Sequence, residues 1–379
     1  MKISMFLVLS LLSVACLLAK GLDEQVGFQR GRLSYSVEVK LEKTGCRQSA
    51  ICLLAKGTSF EVIKGGEQVR VLLDDGSLTS LPREAVQKSG KCWSIPRSKL
   101  TALAKKLKAL PVRTIAEGIT YVSSLELGSR LNFVTIGLHN SSHYEPAVVV
   151  SPRFRKTVTQ SRRRWLNLSH VASENEAVLA LSGTFYACCR KHGGRPLGRV
   201  VSDGLVLEPP KKFKEARRRA SYIWTHSGHH RLVSAEVAKG MKQETVAEMG
   251  GLGTLVERGD TDAWRGYLDK HFKPSFYSGF TRRPQVLFGT NKRGNKLWIL
   301  VQEGRPRSPR PWSLPELGYL LSRCGAWDVA FSDGGSTADL LINGKSVVQR
   351  GRGCRRELHS TAWIIRPRKE VRNYGYCED

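Results

Sequence analysis

Alternating apolar and polar positions dominate the first quarter of the chain. The segments "SYSVEVKLEK" (34–43), "TSFEVIKG" (58–65) and "EQVRVLLDDGS" (67–77) each alternate over several residues, which is typical of half-buried β-strands. The short stretches "KGG" and "DDG" favour tight turns between strands. The pattern predicts a small β-barrel over residues 30–92.

The alternation then changes to a helical period in a basic stretch. Four leucines recur on one helical face with lysines opposite, namely Leu100, Leu103, Leu107 and Leu110. This spacing predicts an amphipathic helix within residues 93–112. Two interpretations remain open at this point: a linker helix packed on its neighbour, or a helix lying on a membrane surface.

Strand patterns with occasional helices follow from residue 113. "GITYVSSLEL" (118–127) and "RLNFVTIGLH" (130–139) are strand-like, and "RPQVLFGTNKRGNKLWILVQEG" (283–304) predicts a hairpin that turns at "NKRGN". Near the end of the chain, Ser313 is a predicted helix N-cap and Gly325 a predicted stop. This order predicts a mixed α+β domain over residues 113–367.

A second helix signal lies in the middle of that domain. Ser173 and Glu176 form the Ser-x-x-Glu pattern that is typical of a helix N-terminus. A continuous apolar run follows them. The pattern therefore predicts a helix start at Ser173 and a buried segment after it.

Composition indicates a folded protein with anionic partners. The 379 residues are 41% hydrophobic, which excludes a disordered chain, and 61 basic against 33 acidic residues give a formal charge of +28. Such a surplus favours nucleic acid, phosphate-bearing polymers or an anionic envelope surface as partner.

The N-terminus predicts export. One lysine precedes an apolar run that is too short for a membrane span, so residues 1–19 read as a secretory signal and the mature protein as periplasmic or secreted. A lipoprotein anchored at Cys16 is disfavoured, because Ser13 stands where a bulky aliphatic residue is expected. No later segment is long and apolar enough to cross a bilayer.

Nine cysteines in an exported chain permit disulfides. The local pairs that the spacing favours are Cys46 with Cys52 and Cys324 with Cys354. Neither pair has the C-x-x-C spacing of a zinc site, so no metal ligands are assigned. The stretch "HSGHH" (226–230) predicts a solvent-facing loop rather than a metal site, since no carboxylate or cysteine accompanies it.

The N-terminal strands also resemble a known module. The succession from residue 53 to residue 86, with its Lys-Gly turn, Gly-rich hairpin and closing Pro-x-x-x-Val, is similar to bacterial SH3-type domains. The resemblance implies an SH3-like β-barrel that binds the cell wall. A β-domain with no binding role is the alternative.

Four later segments form a recognisable series. In chain order they are "LSGTFY" (181–186) with "PLGRVVSDG" (196–204), "MGGLGTLVERGD" (249–260), "RPQVLFG" (283–289) and "LPELGYLLSRCGAWDVAFSDGGST" (314–337). Together they resemble the phosphodiester glycosidase family. The resemblance spans residues 113–367. It implies a hydrolase that cleaves a glycosyl–phosphate bond.

The chemistry of that reaction assigns roles to particular residues. Negative charge gathers on the departing phosphate, so a planar cation is needed, and Arg283 is the candidate. Asp333 is the predicted carboxylate near the anomeric carbon, and Glu303 a second carboxylate, with Glu316 as its alternative. The predicted substrate-binding residues follow the two glycine-rich turns: Ser182, Gly183, Thr184, Tyr186, Gly334, Gly335, Ser336 and Thr337. No cofactor is required by this chemistry, and a divalent ion such as calcium is left open.

Two departures from the family pattern keep a second function open. Ser182 and Phe331 stand where the family has asparagine, so two amides that could bind a sugar are absent. The leading interpretation is an exported hydrolase acting on an anionic envelope glycan or phosphate-bearing polymer. The alternative is a non-catalytic protein that binds a polyanion or the cell wall. Nucleic-acid binding rests on charge alone and is the weaker expectation.

Overall fold

The computed structural model describes the chain in separate stretches. Side chains are described for residues 97–126, 130–138, 142–151, 166–186, 194–209, 219–264, 284–303, 312–334, 338–348 and 359–368. Between residues 29 and 88 only the backbone of the strands is described.

Seven short strands are described in the N-terminal region. They are β1 (Gln29–Leu33), β2 (Val37–Glu42), β3 (Ser49–Leu54), β4 (Ser59–Lys64), β5 (Gln68–Leu73), β6 (Leu78–Pro82) and β7 (Val86–Lys88). They form one antiparallel sheet in the order β3-β2-β6-β5-β4-β1-β7. This order is open, with β3 and β7 at its edges, so the expected closed barrel is not seen among these strands. The SH3-like fold stays a prediction.

Sixteen further strands are described in the larger region. They are β8 (Arg113–Ala116), β9 (Ile119–Glu126), β10 (Ser129–Ile136), β11 (Tyr144–Val150), β12 (Leu179–Ser182), β13 (Val200–Ser202), β14 (Leu205–Leu207), β15 (Ala220–Thr225), β16 (His230–Val233), β17 (Thr245–Val256), β18 (Gln285–Thr290), β19 (Leu297–Gln302), β20 (Asp328–Phe331), β21 (Leu340–Ile342), β22 (Lys345–Ser346) and β23 (Thr361–Pro367).

These strands form two antiparallel sheets. The larger has the order β14-β13-β17-β20-β18-β19-β10-β9-β8, with β15 and β16 joined to it through β17. The smaller has the order β11-β23-β12-β21-β22. The predicted hairpin is confirmed: β18 pairs with β19 in register from Gln285↔Gln302 to Thr290↔Leu297.

The main core lies between the two sheets. Alternate residues of each strand point into it, as period-2 geometry requires: Val286 and Phe288 of β18 belong to this core, whereas Leu287 belongs to the cluster on the opposite face. Trp363 of the small sheet, fully buried, packs edge-on against Phe288. The larger region is thus a mixed, strand-rich sandwich, in agreement with the predicted α+β order.

Four helices in the described stretches cover the outer faces. They are α1 (Arg97–Ala109), α2 (Leu168–Glu174), α3 (Ala235–Gly240) and α4 (Leu314–Cys324). Helices α1 and α4 pack on each other and on the large sheet, while α2 covers the small sheet. Leu100 and Leu107 of α1 are buried in this layer. The leucine face of α1 therefore packs on a neighbouring helix, as the first of its two interpretations predicts.

The helix signals had different outcomes. Ser313 is the N-cap of α4 and forms a reciprocal capping box with Glu316, as predicted. The predicted start at Ser173 is wrong. Helix α2 begins after Asn167, which caps its N-terminus by accepting hydrogen bonds from the backbone of Ser169 and His170, and Ser173 lies in its last turn.

Two further predictions are corrected by burial. Cys324 is a free thiol inside the helical layer, so its predicted pairing with Cys354 is not formed. The "HSGHH" stretch is only partly a solvent-facing loop, because His230 begins β16 and is fully buried with its Nδ1 atom 2.8 Å from the Tyr222 hydroxyl. Within the part of the chain that the structure describes, no helix is both long and apolar enough to cross a membrane.

Candidate active site

The end of β12 meets the middle of β17 at one end of the sandwich. The Thr184 hydroxyl donates a short hydrogen bond to the Gly250 carbonyl, and the Thr184 N–H donates to Thr361 Oγ1 at 3.0 Å. Gly183 lies so close to β23 that an added Cβ would come within 2.1 Å of Thr361 Oγ1. The "LSGTFY" and "MGGLG" segments are therefore brought together by direct contacts.

The "AFSDGG" segment joins the same cluster through aromatic packing. The rings of Phe185 and Phe331 meet edge to face with centroids 5.8 Å apart. Phe331 also lies flat against β17, since a Cβ added at Gly253 would come within 2.0 Å of its ring. The Arg219 guanidinium carbon lies 5.8 Å from the Phe185 ring centroid. Phe331, which replaces a family asparagine, is thus part of the packing that joins three segments.

The start of β18 completes the cluster. A Cβ added at Gly334 would lie 2.8 Å from the Pro284 carbonyl oxygen and 2.9 Å from Gln285 Oε1. Gln285 in turn pairs with Gln302 at the end of β19. All four segments that resemble the family therefore converge at one end of the large sheet.

A backbone crossing lies beneath this convergence. The Gly250 N–H donates to the Arg199 carbonyl at 2.7 Å, and a Cβ added at Gly198 would come within 1.9 Å of the Gly250 carbonyl carbon. Gly251 adopts a φ of +85°, at a bulge in the β15–β17 pairing. Only residues without side chains permit this approach and this backbone conformation.

The predicted site residues differ in their exposure. Asp333, Gly334 and Tyr186 are half-buried and reach the surface. Ser182, Gly183 and Thr184 are buried, and Thr184 uses both its hydroxyl and its N–H inside the protein. The structure thus puts this second group beneath the site. Arg283, Gly335, Ser336 and Thr337 lie outside the described residues, so their predicted roles stay predictions.

Glu303 lies at the same end of the sheet but in the interior. It is fully buried directly after β19, where its Oε1 atom is 3.4 Å from Asn132 Nδ2 and 3.8 Å from Arg130 Nε. Its Oε2 atom is also buried and has no hydrogen-bond partner among the described residues. The Tyr121 hydroxyl donates to Asn132 Oδ1 at 2.7 Å, and burial, with Glu303 as a smaller influence, raises the pKa of Tyr121. The catalytic role of Glu303 remains a prediction, and its burial favours an indirect one.

A second buried carboxylate was missed by the sequence. Glu248 accepts a hydrogen bond from Arg199 at 2.5 Å on one oxygen and from the Ser221 hydroxyl at 2.9 Å on the other. Burial raises the pKa of the Glu248 carboxyl, and Arg199 opposes the shift. Because Arg199 and Ser221 flank Gly250, this network supports the glycine crossing. An acidic residue next to "MGG" in an apolar strand was the available signal.

Metal binding is not indicated by the described side chains. Within those stretches no three His, Cys, Asp or Glu residues come together as a group that could hold a metal ion. The calcium requirement left open by the sequence therefore stays untested.

Solved structures that are similar to this chain include two of low sequence identity. The catalytic domain of zebrafish N-acetylglucosamine-1-phosphodiester alpha-N-acetylglucosaminidase, auto-inhibited by its pro-peptide, is 15% identical with a TM-score of 0.48, over 66% of this chain and 82% of that one. A hypothetical protein from Synechocystis is 14% identical with a TM-score of 0.49, over 91% and 80%. No curated protein matches the chain.

The comparison of the sequence with known protein families gives a match. The profile of the phosphodiester glycosidase family matches residues 175–366, just over half of the 379 residues. This range contains all four segments that converge around Thr184, Gly250 and Phe331. The chain belongs to the phosphodiester glycosidase family.

Proposed function

We propose that this protein is an active, exported hydrolase that cleaves the bond between a sugar and a phosphate in an anionic envelope glycan or phosphate-bearing polymer. The observation that supports it best is the convergence of the four family segments, which leaves the half-buried Asp333 at their edge. Family membership makes hydrolysis of a glycosyl phosphodiester the reaction to test first.

Asp333 is the carboxylate proposed to act on the bond. Asp333 lies two residues after the end of β20, and the next residue, Gly334, packs against Pro284 and Gln285 at the start of β18. The turn that carries the carboxylate is therefore held in place by neighbouring residues. A fixed carboxylate can stabilise the oxocarbenium-like state, act as nucleophile or activate water. Arg283, one residue before Pro284, is proposed to bind two phosphate oxygens through its planar guanidinium.

The buried hydrogen bonds around Gly250 are proposed to hold the backbone beneath the site in position. Thr184, Glu248 and Arg199 form hydrogen bonds only within the protein, on either side of the Gly250 backbone. They act as positioning residues, since none of their bonded groups is free to meet a substrate. A polyanionic substrate is supported by the formal charge of +28.

The test is hydrolysis of a panel of sugar-1-phosphate diesters that differ in sugar and anomer. We expect wild type to release sugar, and Asp333→Asn to lose about 10²-fold or more of the rate, because positioned carboxylates contribute that much. The matched control is Glu236→Gln, which changes an exposed carboxylate on α3 and should keep the wild-type rate. Arg283→Lys keeps the charge but loses the bidentate geometry and should also be impaired. Each reaction is run with calcium and with a chelator.

One observation supports a second function. Phe331 is 1% exposed and packs on Phe185. The chain therefore has a buried aromatic ring at a position where the family has an amide that could bind a sugar. If folded wild type releases no sugar from any diester but binds the intact polymer, the protein is a polyanion-binding member of the family. Competition between DNA and an anionic glycan then identifies the preferred polymer, since salt screens both alike.

A further inference from the structure

A cavity of about 250 Å³ lies at the other end of β20 from Asp333. Its walls come from β16, the start of α3, and the ends of β17, β18 and β20. Asp328, the first residue of β20, lines it, while Asp333 lies beyond the last. At a rise of about 3.3 Å per residue the two carboxylates are roughly 16 Å apart, so this cavity is separate from the candidate active site.

Three cations line the cavity. Arg258 and Lys292 are exposed and Arg231 is half-buried. Among the ion pairs between described residues, none involves any of the three. Arg258 and Arg231 lie near the Asp328 carboxylate, but three cations against the two carboxylates of the lining leave an excess of positive charge, which favours an anionic ligand.

Two carboxylates give the cavity hydrogen-bond acceptors as well. Asp328 accepts a hydrogen bond from the Arg258 N–H at 2.7 Å, which fixes one of its oxygens at the cavity wall. Glu257 is the second acidic residue of the lining, and Thr254 and Thr290 add neutral polar groups. Carboxylates accept hydrogen bonds from hydroxyl groups. The ligand should therefore carry hydroxyls in addition to its negative charge.

The remaining wall is apolar and includes a fixed indole. Trp327 is held by two backbone hydrogen bonds of 2.7 Å, one to Thr290 and one from Gly259. A Cβ added at Gly259 would come within 2.8 Å of the indole, so the ring packs directly on this backbone. Lys292 Nζ lies 5.2 Å from the ring centroid. A rigid aromatic wall beside a cation suits a compact ligand with an apolar face.

We propose that this cavity binds a sugar phosphate. The three cations would take the phosphate, the carboxylates and neutral polar groups the sugar hydroxyls, and the apolar wall the C–H face of the ring. Its volume is below the range that is usual for drug-sized ligands, which suits a ligand of about one sugar unit. Binding here requires no hydrolysis and does not rest on the proposed function.

Calorimetric titration of the full chain at low ionic strength tests the proposal, with glucose 6-phosphate as the probe and glucose and inorganic phosphate as comparisons. We expect one glucose 6-phosphate per chain, weaker binding of phosphate, and no measurable binding of glucose. The double variant Arg231→Gln/Lys292→Gln should bind at least tenfold more weakly. The control Lys105→Gln/Lys108→Gln removes the same charge from exposed positions of α1 and should stay within twofold of wild type.

Several results would overturn the proposal: no binding of glucose 6-phosphate, equal affinity for phosphate alone, or an equal loss in the control variant. Arg283→Gln, which removes the cation proposed to bind phosphate in the candidate active site, distinguishes the two sites. If that variant binds glucose 6-phosphate like wild type while Arg231→Gln/Lys292→Gln does not, the ligand occupies the second cavity even if no hydrolysis is found. If Arg283→Gln abolishes binding, the ligand lies at the active site and the proposal fails. Circular dichroism checks that each variant is folded, and Arg258→Gln, which also changes an exposed side chain, repeats the test independently.

Discussion

Replacing Gly198 by alanine tests the glycine crossing on which the site depends. The new Cβ would lie 1.9 Å from the Gly250 carbonyl carbon and 2.0 Å from the Gly251 nitrogen. Carbon atoms in contact are ordinarily about 3.5–4.0 Å apart, so one backbone segment would have to move by roughly 1.5–2 Å. Strand β17 cannot move freely, because it is paired with β13, β15 and β20.

The expected cost follows from that rigidity. Overpacking by one methyl group typically costs about 1–3 kcal/mol, and relaxation of flexible side chains accounts for the lower values. Here the clash is with backbone atoms of both Gly250 and Gly251, so we expect the free energy of unfolding to fall by about 3 kcal/mol or more. The shift would also displace the Gly250 carbonyl that accepts the Thr184 hydroxyl, so hydrolysis should fall together with stability.

Urea denaturation followed by tryptophan fluorescence measures the effect. Trp298 and Trp363, which are 7% and 0% exposed, lie in the cores on the two faces of the large sheet and should report its unfolding. The matched control is Gly240→Ala at the end of α3, where an added Cβ meets nothing within 4 Å and stability should change by less than about 1 kcal/mol. If Gly198→Ala is as stable as this control, the two segments do not cross in solution and the deduced site is wrong.

Three further predictions concern buried groups elsewhere in the fold. Burial, with His229 as a smaller influence, lowers the pKa of His230 to about 3, so its NMR ring signals should not titrate between pH 8 and 5. Because this histidine binds a proton near pH 6.5 in the unfolded chain, the free energy of unfolding should fall as the pH is lowered from 6.5 towards 3. Burial raises the pKa of the Cys324 thiol to about 11, so peptide mapping after iodoacetamide treatment at pH 8 should find Cys324 unmodified in native protein and modified in urea; native labelling would contradict its burial. Arg366→Met removes ion pairs of 2.7 Å to Asp203 and 3.1 Å to Glu145; since both partners are partly exposed, thermal unfolding should show a loss of about 1–3 kcal/mol. The control Lys106→Met breaks the more exposed pair between Lys106 and Glu126 and should cost less than about 1 kcal/mol.

Local patterns were sufficient wherever a structure depends on neighbours along the chain. The β18–β19 hairpin and the Ser313 cap of α4 follow from strand alternation and from a side chain that bonds backbone three residues away. Family segments recognised in the sequence also indicated which strand ends lie close together. The false helix start at Ser173 shows the limit of such rules, because Asn167 caps the helix six residues earlier and Ser173 lies in the last turn of that helix.

The sequence by itself therefore determined the order of elements, the mixed class and the family. The tertiary structure decided which residues meet. Glu248 and Arg199 are 49 positions apart, and Gly198 reaches Gly250 only because β13 pairs with β17 in one register. The sequence around His230 predicts a polar loop, whereas in the structure His230 belongs to β16 and packs against the core residue Trp224. Such contacts depend on strand register and on the packing of two sheets, which no local spacing encodes.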